Sequence, residues 1–541
     1  MKTNHIKIAV GLWLAGTAFV SCSDDFLNRE PLTTLTPENY FVSEENALVA
    51  VNGIYNGVRA MNSAREYTID YDCMTDNMYN YSRYQHTQEI GQGSHSSSSY
   101  YPQAKWTKDY QGIARANLVL AYLDNCYTDA TKDSPLKERM RGEAYFLRAF
   151  FYSDLIDFFG DVPLITEPKD VSYKGPRVSR DIVLDTILND FDSAIERLPV
   201  AYDEENIGRA TKGAAMAAKG KVLLYNHRYA EAADVLKKVI DLKDESGAKR
   251  YDIYPHYREL FLPQYENNCE VVFDIQYIKG RFSDGLSHQL YTFVVEWNSY
   301  CPLAQLAEAY YTTNGLAPEK DPTWDPAQPF LNRDPRLEYS IMVPRSLTGR
   351  PASNGSPAVF IPSTGNHTSL KIRKWNDYEE REKNNSEQNI PLIRYADVLL
   401  MYAEAAVMSG TYDEVEVRAA IDAVRQRPDV MMPKVEEVEG TGLSPDKLIE
   451  IIRHERRVEF PFEGTRISDI RRWRIGEEVM TDAIGYDPTK GKLNPPVYEK
   501  VVVDKRVFNP NRDYLWPIPQ KEIDANPAIG PANQNPGYTA N

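Results

Sequence analysis

PLIRYADVLLMYAEA, residues 391–405, is the stretch from which the rest of the chain is best read. Tyr395, Val398, Leu399, Tyr402 and Ala406 follow three- and four-residue steps, so the spacing predicts an amphipathic helix with one buried stripe. Arg394, Asp397 and Glu404 lie beside or within that stripe, and a charge at a buried face needs a partner. A second segment, IIRHERRVEFPFEGTRISDIRRW at 451–473, carries alternating charges that could supply such partners from a distance. Its Glu455, Arg456, Arg457, Glu459, Glu463, Arg466 and Asp469 suit an internal ion-pair network better than a reactive cluster.

Helical seams extend on both sides. Residues 44–60 place Ala47, Val51, Ile54, Tyr55 and Val58 at helical spacing. In 104–123, Trp106, Tyr110, Ile113, Asn117 and Leu120 step by four, three, four and three, which makes Trp106 a core residue. Residues 136–158 continue with Met140, Ala144, Leu147, Phe151 and Leu155 and stop at Gly160 and Pro163. Helices follow at 180–198, 211–227 and 229–242. The last two are rich in Gly and Ala, which permit close packing, and they resemble tetratricopeptide hairpins. From 251 to 390 the chain becomes dense in Gly, Pro, Asn and Tyr, with only short strand-like runs such as Glu270 to Tyr277. Loops this long in a compact chain are usually functional. Helices return at 391–408, 414–426 and 444–460, and a Pro-rich tail from Val503 should wrap over the body.

Composition narrows the function. The 541 residues are 42% hydrophobic and 26% charged, enough for a large core, and the formal charge is −16. That field repels phosphate backbones, so nucleic acid is excluded as a partner. Tyr (36) is twice as frequent as Phe (18), an excess that points to aromatic surface with a polar handle. The sequence has no GxSxG elbow, HExxH or Gly-rich phosphate loop, and the eight His are scattered; His454, inside the charged helix, reads as a packed or solvated residue and not as a base. Cys73, Cys126, Cys269 and Cys301 have no metal-ligand spacing; in an exported protein they could pair, but a large core needs no staples and they read as buried free thiols. Nothing calls for a cofactor, a metal or a catalytic residue.

Several further segments match one family in order along the chain: WTKDYQGIARANLVL at 106–120, RGEAYFLRAFFYSDLIDFFGDVPLI at 141–165, AEAYYTTNG at 307–315, NRDPRL at 332–337, IDAVRQRP at 421–428, YLWPIPQKEIDANP at 514–527 and QNPGY at 534–538. With 391–405 and 451–473 they resemble the SusD/RagB family of outer-membrane nutrient-binding lipoproteins of gut-type Bacteroidetes. The resemblance implies an all-α fold, a tetratricopeptide-like helical-hairpin superhelix with long loop-rich insertions. It also implies a SusC-like TonB-dependent transporter as partner and capture of glycan or, in some members, peptide. The family's ligand contacts differ between members, so none is carried over. Arg333, Asp334 and Arg336 of NRDPRL read as braces between loops and helices.

The N-terminus reads as an export signal, with Lys2 and Lys7 before the apolar run Ile8 to Val20, too short to span a bilayer. Val20-Ser21-Cys22 resembles a lipobox with Phe19 where Leu is more usual, which implies acylation of Cys22 and anchoring to outer-membrane lipid. Ser23, Asp24 and Asp25 look like the surface-export tag of Bacteroidetes lipoproteins. The expected organisation is a signal at 1–21, a tether at 22–40 and one domain at 41–541. Within it, a tetratricopeptide-like half runs to about 250 and a loop-rich half follows.

A neutral sugar offers apolar faces and a rim of hydroxyls, and calls for exposed aromatic platforms flanked by amides, carboxylates or Arg. YDCMTDNMYNYSRYQH at 71–86 fits, with Asp76, Asn77, Tyr79, Asn80, Tyr81, Arg83 and Tyr84. EWNSY at 296–300 adds Trp297, Asn298 and Tyr300, and Trp324 is a third candidate. These rings could instead pack under loops. Peptide capture, a transporter lid with no ligand of its own, and a glycoside hydrolase remain the competing readings.

Overall fold

A computed structural model of the chain describes residues 36–60, 68–170, 172–351, 355–377, 380 and 382–539. The signal segment, Cys22 and the tether up to residue 35 lie outside the described residues; at the tether's end, Pro37–Tyr40 forms one helical turn capped by Thr36.

The scaffold is a run of helices, each packed on the next in sequence: α1 (Glu44–Ala60), α2 (Tyr100–Tyr122), α3 (Pro135–Phe159), α4 (Arg180–Arg197), α5 (Lys212–Tyr225), α6 (Tyr229–Ile240), α7 (Tyr395–Ser409) and α8 (Glu414–Arg425). Residues 241–394 are looped out between α6 and α7, which nevertheless pack as neighbours. α9 (Pro445–Glu459) closes against α7, and α10 (Arg466–Arg472) follows. Small residues set the close approaches. A Cβ on Gly112 of α2 would meet the Phe151 ring of α3 at 2.3 Å, and one on Gly220 of α5 would meet Leu236 of α6 at 2.5 Å.

The described residues form ten short strands, all but β1 in the loop-rich half, in five antiparallel two-stranded ladders: β1 (Met78–Asn80) with β3 (Tyr300–Pro302), β2 (Val271–Ile275) with β8 (Ile390–Arg394), β4 (Ile341–Met342) with β7 (Lys371–Ile372), β5 (Leu347–Pro351) with β6 (Pro357–Val359), and β9 (Ala483–Tyr486) with β10 (Lys500–Asp504). Each ladder is too small to hold itself up and leans on the helices. The tail is more structured than expected. It holds β10 and the helix Gln520–Ala525, and it drives the fully buried Trp516 against Phe158 at 4.4 Å between ring centroids.

The segment 391–405 departs from its predicted form. Its first four residues belong to β8, and the helix starts only at Tyr395 after an extended Arg394. Pro391 lacks a donor and favours an extended predecessor, which ends any helix there. The helix is also buried on all sides from Tyr395 to Val407, so it is a central core helix rather than an amphipathic one. Its charges are buried because partners meet them. Arg456 donates to Asp397 at 2.6 Å, and Arg472 donates to Glu404 at 2.5 and 2.7 Å.

Arg394 enters a larger cluster. It donates to both oxygens of Glu463 at 2.7 and 2.8 Å, to Glu459 at 3.1 Å, and to Glu270. Arg427 bridges Glu270 and Glu459, Arg336 bridges Asp334, Glu455 and Glu459, Arg425 holds Glu455, and Lys374 holds Glu463. Five cations thus face five carboxylates in a dry interior. Three guanidiniums hold Glu459 down at about 2, whereas burial outweighs Glu463 at Lys374 and brings that ammonium down to about 8. The NRDPRL residues are braces as expected: Arg333 donates to the Tyr310 and Pro329 carbonyls, and Asp334 caps the short helix Pro335–Ser340. Trp106 is core, and His454 is half-buried, stacked on Tyr311 at 3.7 Å. The four cysteines among the described residues are free; Cys73 and Cys301 are buried as expected, whereas Cys126 is half-buried and Cys269 is exposed.

Candidate functional site

The two loop segments singled out for sugar recognition meet. β1 and β3 pair with Tyr79 opposite Cys301 and Asn80 opposite Tyr300, so chain positions more than 200 residues apart share one ladder. A π-helical turn, Thr292–Glu296, leads into β3, and Lys371 Nζ donates to its Val295 carbonyl at 3.0 Å. Asn298 then takes φ +49, a left-handed conformation that Asn tolerates better than most residues. The turn leaves Trp297 at the surface, 51% exposed, its ring 5.3 Å from Phe293. The Tyr81 hydroxyl donates to the Trp297 carbonyl at 2.8 Å, which ties the two segments together beyond the ladder.

Around this tie lies an aromatic surface. Tyr81 lies against His367 at 4.6 Å between centroids, and Tyr79 meets the same imidazole edge-on at 6.3 Å. Tyr84 stands out at 86% exposure beside exposed Arg83. Burial raises the phenols of Tyr79 and Tyr81 and lowers His367, so all three are neutral near pH 7 and can stack or share hydrogen bonds without carrying charge.

Other predicted contacts are turned inward. Asp76 is ion-paired to Arg466 and Arg457, which pull its carboxyl to about 2 against the cost of burial. Asn77 is buried and donates to Asp72 at 2.8 Å. Asn80 is buried and accepts from the Ser82 backbone, and Tyr300, fully buried, donates to Asp70 at 2.7 Å. These four brace the ladder and the turn before it instead of facing solvent: Asp76 and Asn77 precede β1, Asn80 follows that strand's alternation, and β3 is buried at all three of its residues. The Asn298 amide is also buried, and neither of its polar atoms has a partner among the described residues. Trp324 belongs to another loop, where its indole donates to the Pro329 carbonyl at 3.2 Å. The sequence reading missed His367, which sits in a turn with no flanking pattern to mark it.

Two family models span nearly all of this architecture. One, described as SusD family, matches residues 269–538, and the other, described as starch-binding associating with outer membrane, matches 25–224. The chain belongs to the SusD/RagB family. Among SusD-like relatives, protein P25 of Formosa agariphila is 24% identical over 98% of both chains, and protein P38 of the same organism is 26% identical over 95% of this chain and all of that one. The solved structure of a SusD-like carbohydrate-binding protein from Bacteroides fragilis superposes with a TM-score of 0.77 at 28% identity, covering 91% of this chain and all of that one. A second SusD-like structure from the same species gives 0.77 at 25% identity over 94% of this chain and all of that one. The SusD-like chain therefore has the fold its helical seams predicted. Among the described residues, no helix is long and apolar enough to cross a membrane, and no group of His, Cys, Asp and Glu is placed to hold a metal.

Proposed function

We propose that this SusD/RagB member is a surface-exposed outer-membrane lipoprotein that binds glycan on the Tyr79–Tyr81–Tyr84–Trp297–His367 surface. It would be anchored through acylated Cys22 and would pass its cargo to a SusC-like TonB-dependent transporter. The observation that carries the reading is the β1–β3 ladder with its Tyr81–Trp297 tie, which assembles exposed, uncharged aromatic rings from two distant loops. Such rings stack on the apolar faces of pyranose units, while phenol, imidazole and the nearby Arg83 guanidinium offer hydrogen bonds to hydroxyls. The carbohydrate-binding relative from Bacteroides fragilis, similar over all of its length, supports the same ligand class.

A shallow site of this kind gains little net free energy, so affinities on the order of micromolar to millimolar are expected. The test is isothermal titration of residues 24–541 against neutral plant, host and microbial glycans, with Trp297→Ala and Tyr81→Ala alongside. A glycan bound by the parent and lost in both variants supports the reading; equal affinity in all three proteins overturns it. If no glycan binds the folded protein, peptide cargo or a lid that acts only with its transporter becomes the better account.

A further inference from the structure

A second concave region lies away from the aromatic surface. It has two lobes, of about 490 Å³ and 330 Å³, which share Ile207, Gly208, Arg209, Phe273 and Asp274. Gly208 makes the waist. Its φ is +88, and a Cβ there would come within 2.4 Å of Gln276 Cγ, so only glycine lets this loop descend onto the end of β2. One lobe is bounded by the C-terminal half of α1, with Asn56 and Arg59; the other holds Arg250 and Asn267.

The cations of the two lobes are differently satisfied. Arg209, at the waist, is committed to Glu143 at 2.8 Å and to Asn52 at 2.8 Å. Among the described residues Arg59 has the Asn56 side-chain oxygen as its one acceptor, and its half-buried guanidinium is held below its ordinary value by desolvation. Arg250 donates through Nε to the Val200 carbonyl at 3.2 Å and lies over the Tyr251 ring at 4.8 Å. Neither Arg59 nor Arg250 has a carboxylate partner among the described residues. The Asp244 carboxylate in the second lobe is taken up by Ser246 and Ala248 of its own turn. Asp274 between the lobes is buried and accepts from Gln276 at 2.8 Å, so it is capped rather than paired with a cation. A desolvated guanidinium with an open fork favours a planar oxyanion.

We propose that this groove binds an acidic oligosaccharide, with sugar carboxylates on Arg59 and Arg250 and hydroxyls on the amides and Asp274 between them. The lining sets the amides of Asn52, Asn56, Asn267 and Gln276 beside apolar Val58 and Ile275, a mixture that suits the hydroxyl rim and apolar faces of a sugar. The net charge of −16 opposes anions at long range, so affinity must come from the two guanidinium contacts and not from steering.

The test is titration of the protein with tetragalacturonate and with an alginate tetrasaccharide, beside the uncharged methyl ester of the first and a hexaglutamate peptide. Arg59→Gln and Arg250→Gln, both at half-buried positions, are each expected to weaken the acidic sugar about tenfold or more while the protein stays folded by circular dichroism. The methyl ester should bind as weakly to the parent as the acid does to the variants. Trp297→Ala should leave acidic-sugar binding intact, which separates this groove from the aromatic surface. Failure of the parent to bind either acidic sugar, equal binding of acid and ester, or variant-insensitive affinity would each overturn the proposal. Hexaglutamate bound in place of the sugars would overturn the ligand class.

Discussion

Replacing Arg394 by Met probes the buried ion cluster with little loss of packing, because the Arg394 guanidinium already lies over the Phe460 ring at 4.9 Å and near Phe261 at 5.5 Å. The variant leaves four cations against five carboxylates. Glu270 and Glu459 keep Arg427, and Glu463 keeps Lys374, so the loss is one uncompensated negative charge in a dry interior. Breaking one side of a buried pair costs about 3–5 kcal/mol. Unfolding about 500 residues at roughly 2.1 cal/mol/K each gives an entropy of about 1 kcal/mol/K, so the melting temperature should fall by about 3–5 °C. Scanning calorimetry at pH 7 measures it. The double variant Arg394→Met/Glu270→Gln restores four against four and should be more stable than Arg394→Met alone. A drop below about 1 °C in the single variant, or simply additive losses in the double, would refute the charge-balance argument.

Tyr81→Phe removes one hydroxyl and its bond to the Trp297 carbonyl; it should cost about 1 kcal/mol of stability and weaken glycan binding less than Tyr81→Ala does. Gly112→Ala forces a methyl into the Phe151 ring and should cost about 1–3 kcal/mol by overpacking, read from urea midpoints. Acid should unfold the protein over a defined window. Glu459 and Asp76 are held near 2 in the fold against 4.5 and 3.8 outside it, so the stability they supply is complete above about 4.5 and is lost as pH falls toward 2. Buried Asp72 and Asp274, raised to about 6, act in the opposite sense but only above pH 4, so the acid limb of a pH-melting curve should fall steeply below that. Thiol titration of the native protein should label Cys269 first. Cys73 and Cys301, buried and with thiols pushed upward (Cys301 to about 12), should react only on unfolding.

The sequence alone determined the helices of the scaffold, because an apolar seam at three- and four-residue spacing is a local property that burial then confirms; α2, α3 and α9 lie within a few residues of their predicted bounds. It also determined that the charges around 394–404 and 455–469 needed each other, since neither set could be buried alone. What it could not show was direction in space. Partners from distant elements drew Asp76 inward, Asn77 turned in onto Asp72, alternation along β1 buried Asn80, and the tertiary structure alone decided that Tyr81 and Trp297 would meet and that His367 would join them. The helix at 395–409 looked amphipathic because Tyr395, Val398, Leu399, Tyr402 and Ala406 mark one apolar stripe, whereas every residue from Tyr395 to Val407 is buried. Only the arrival of Arg456 and Arg472 from another element let Asp397 and Glu404 be buried, and no periodicity within one segment encodes a partner from another.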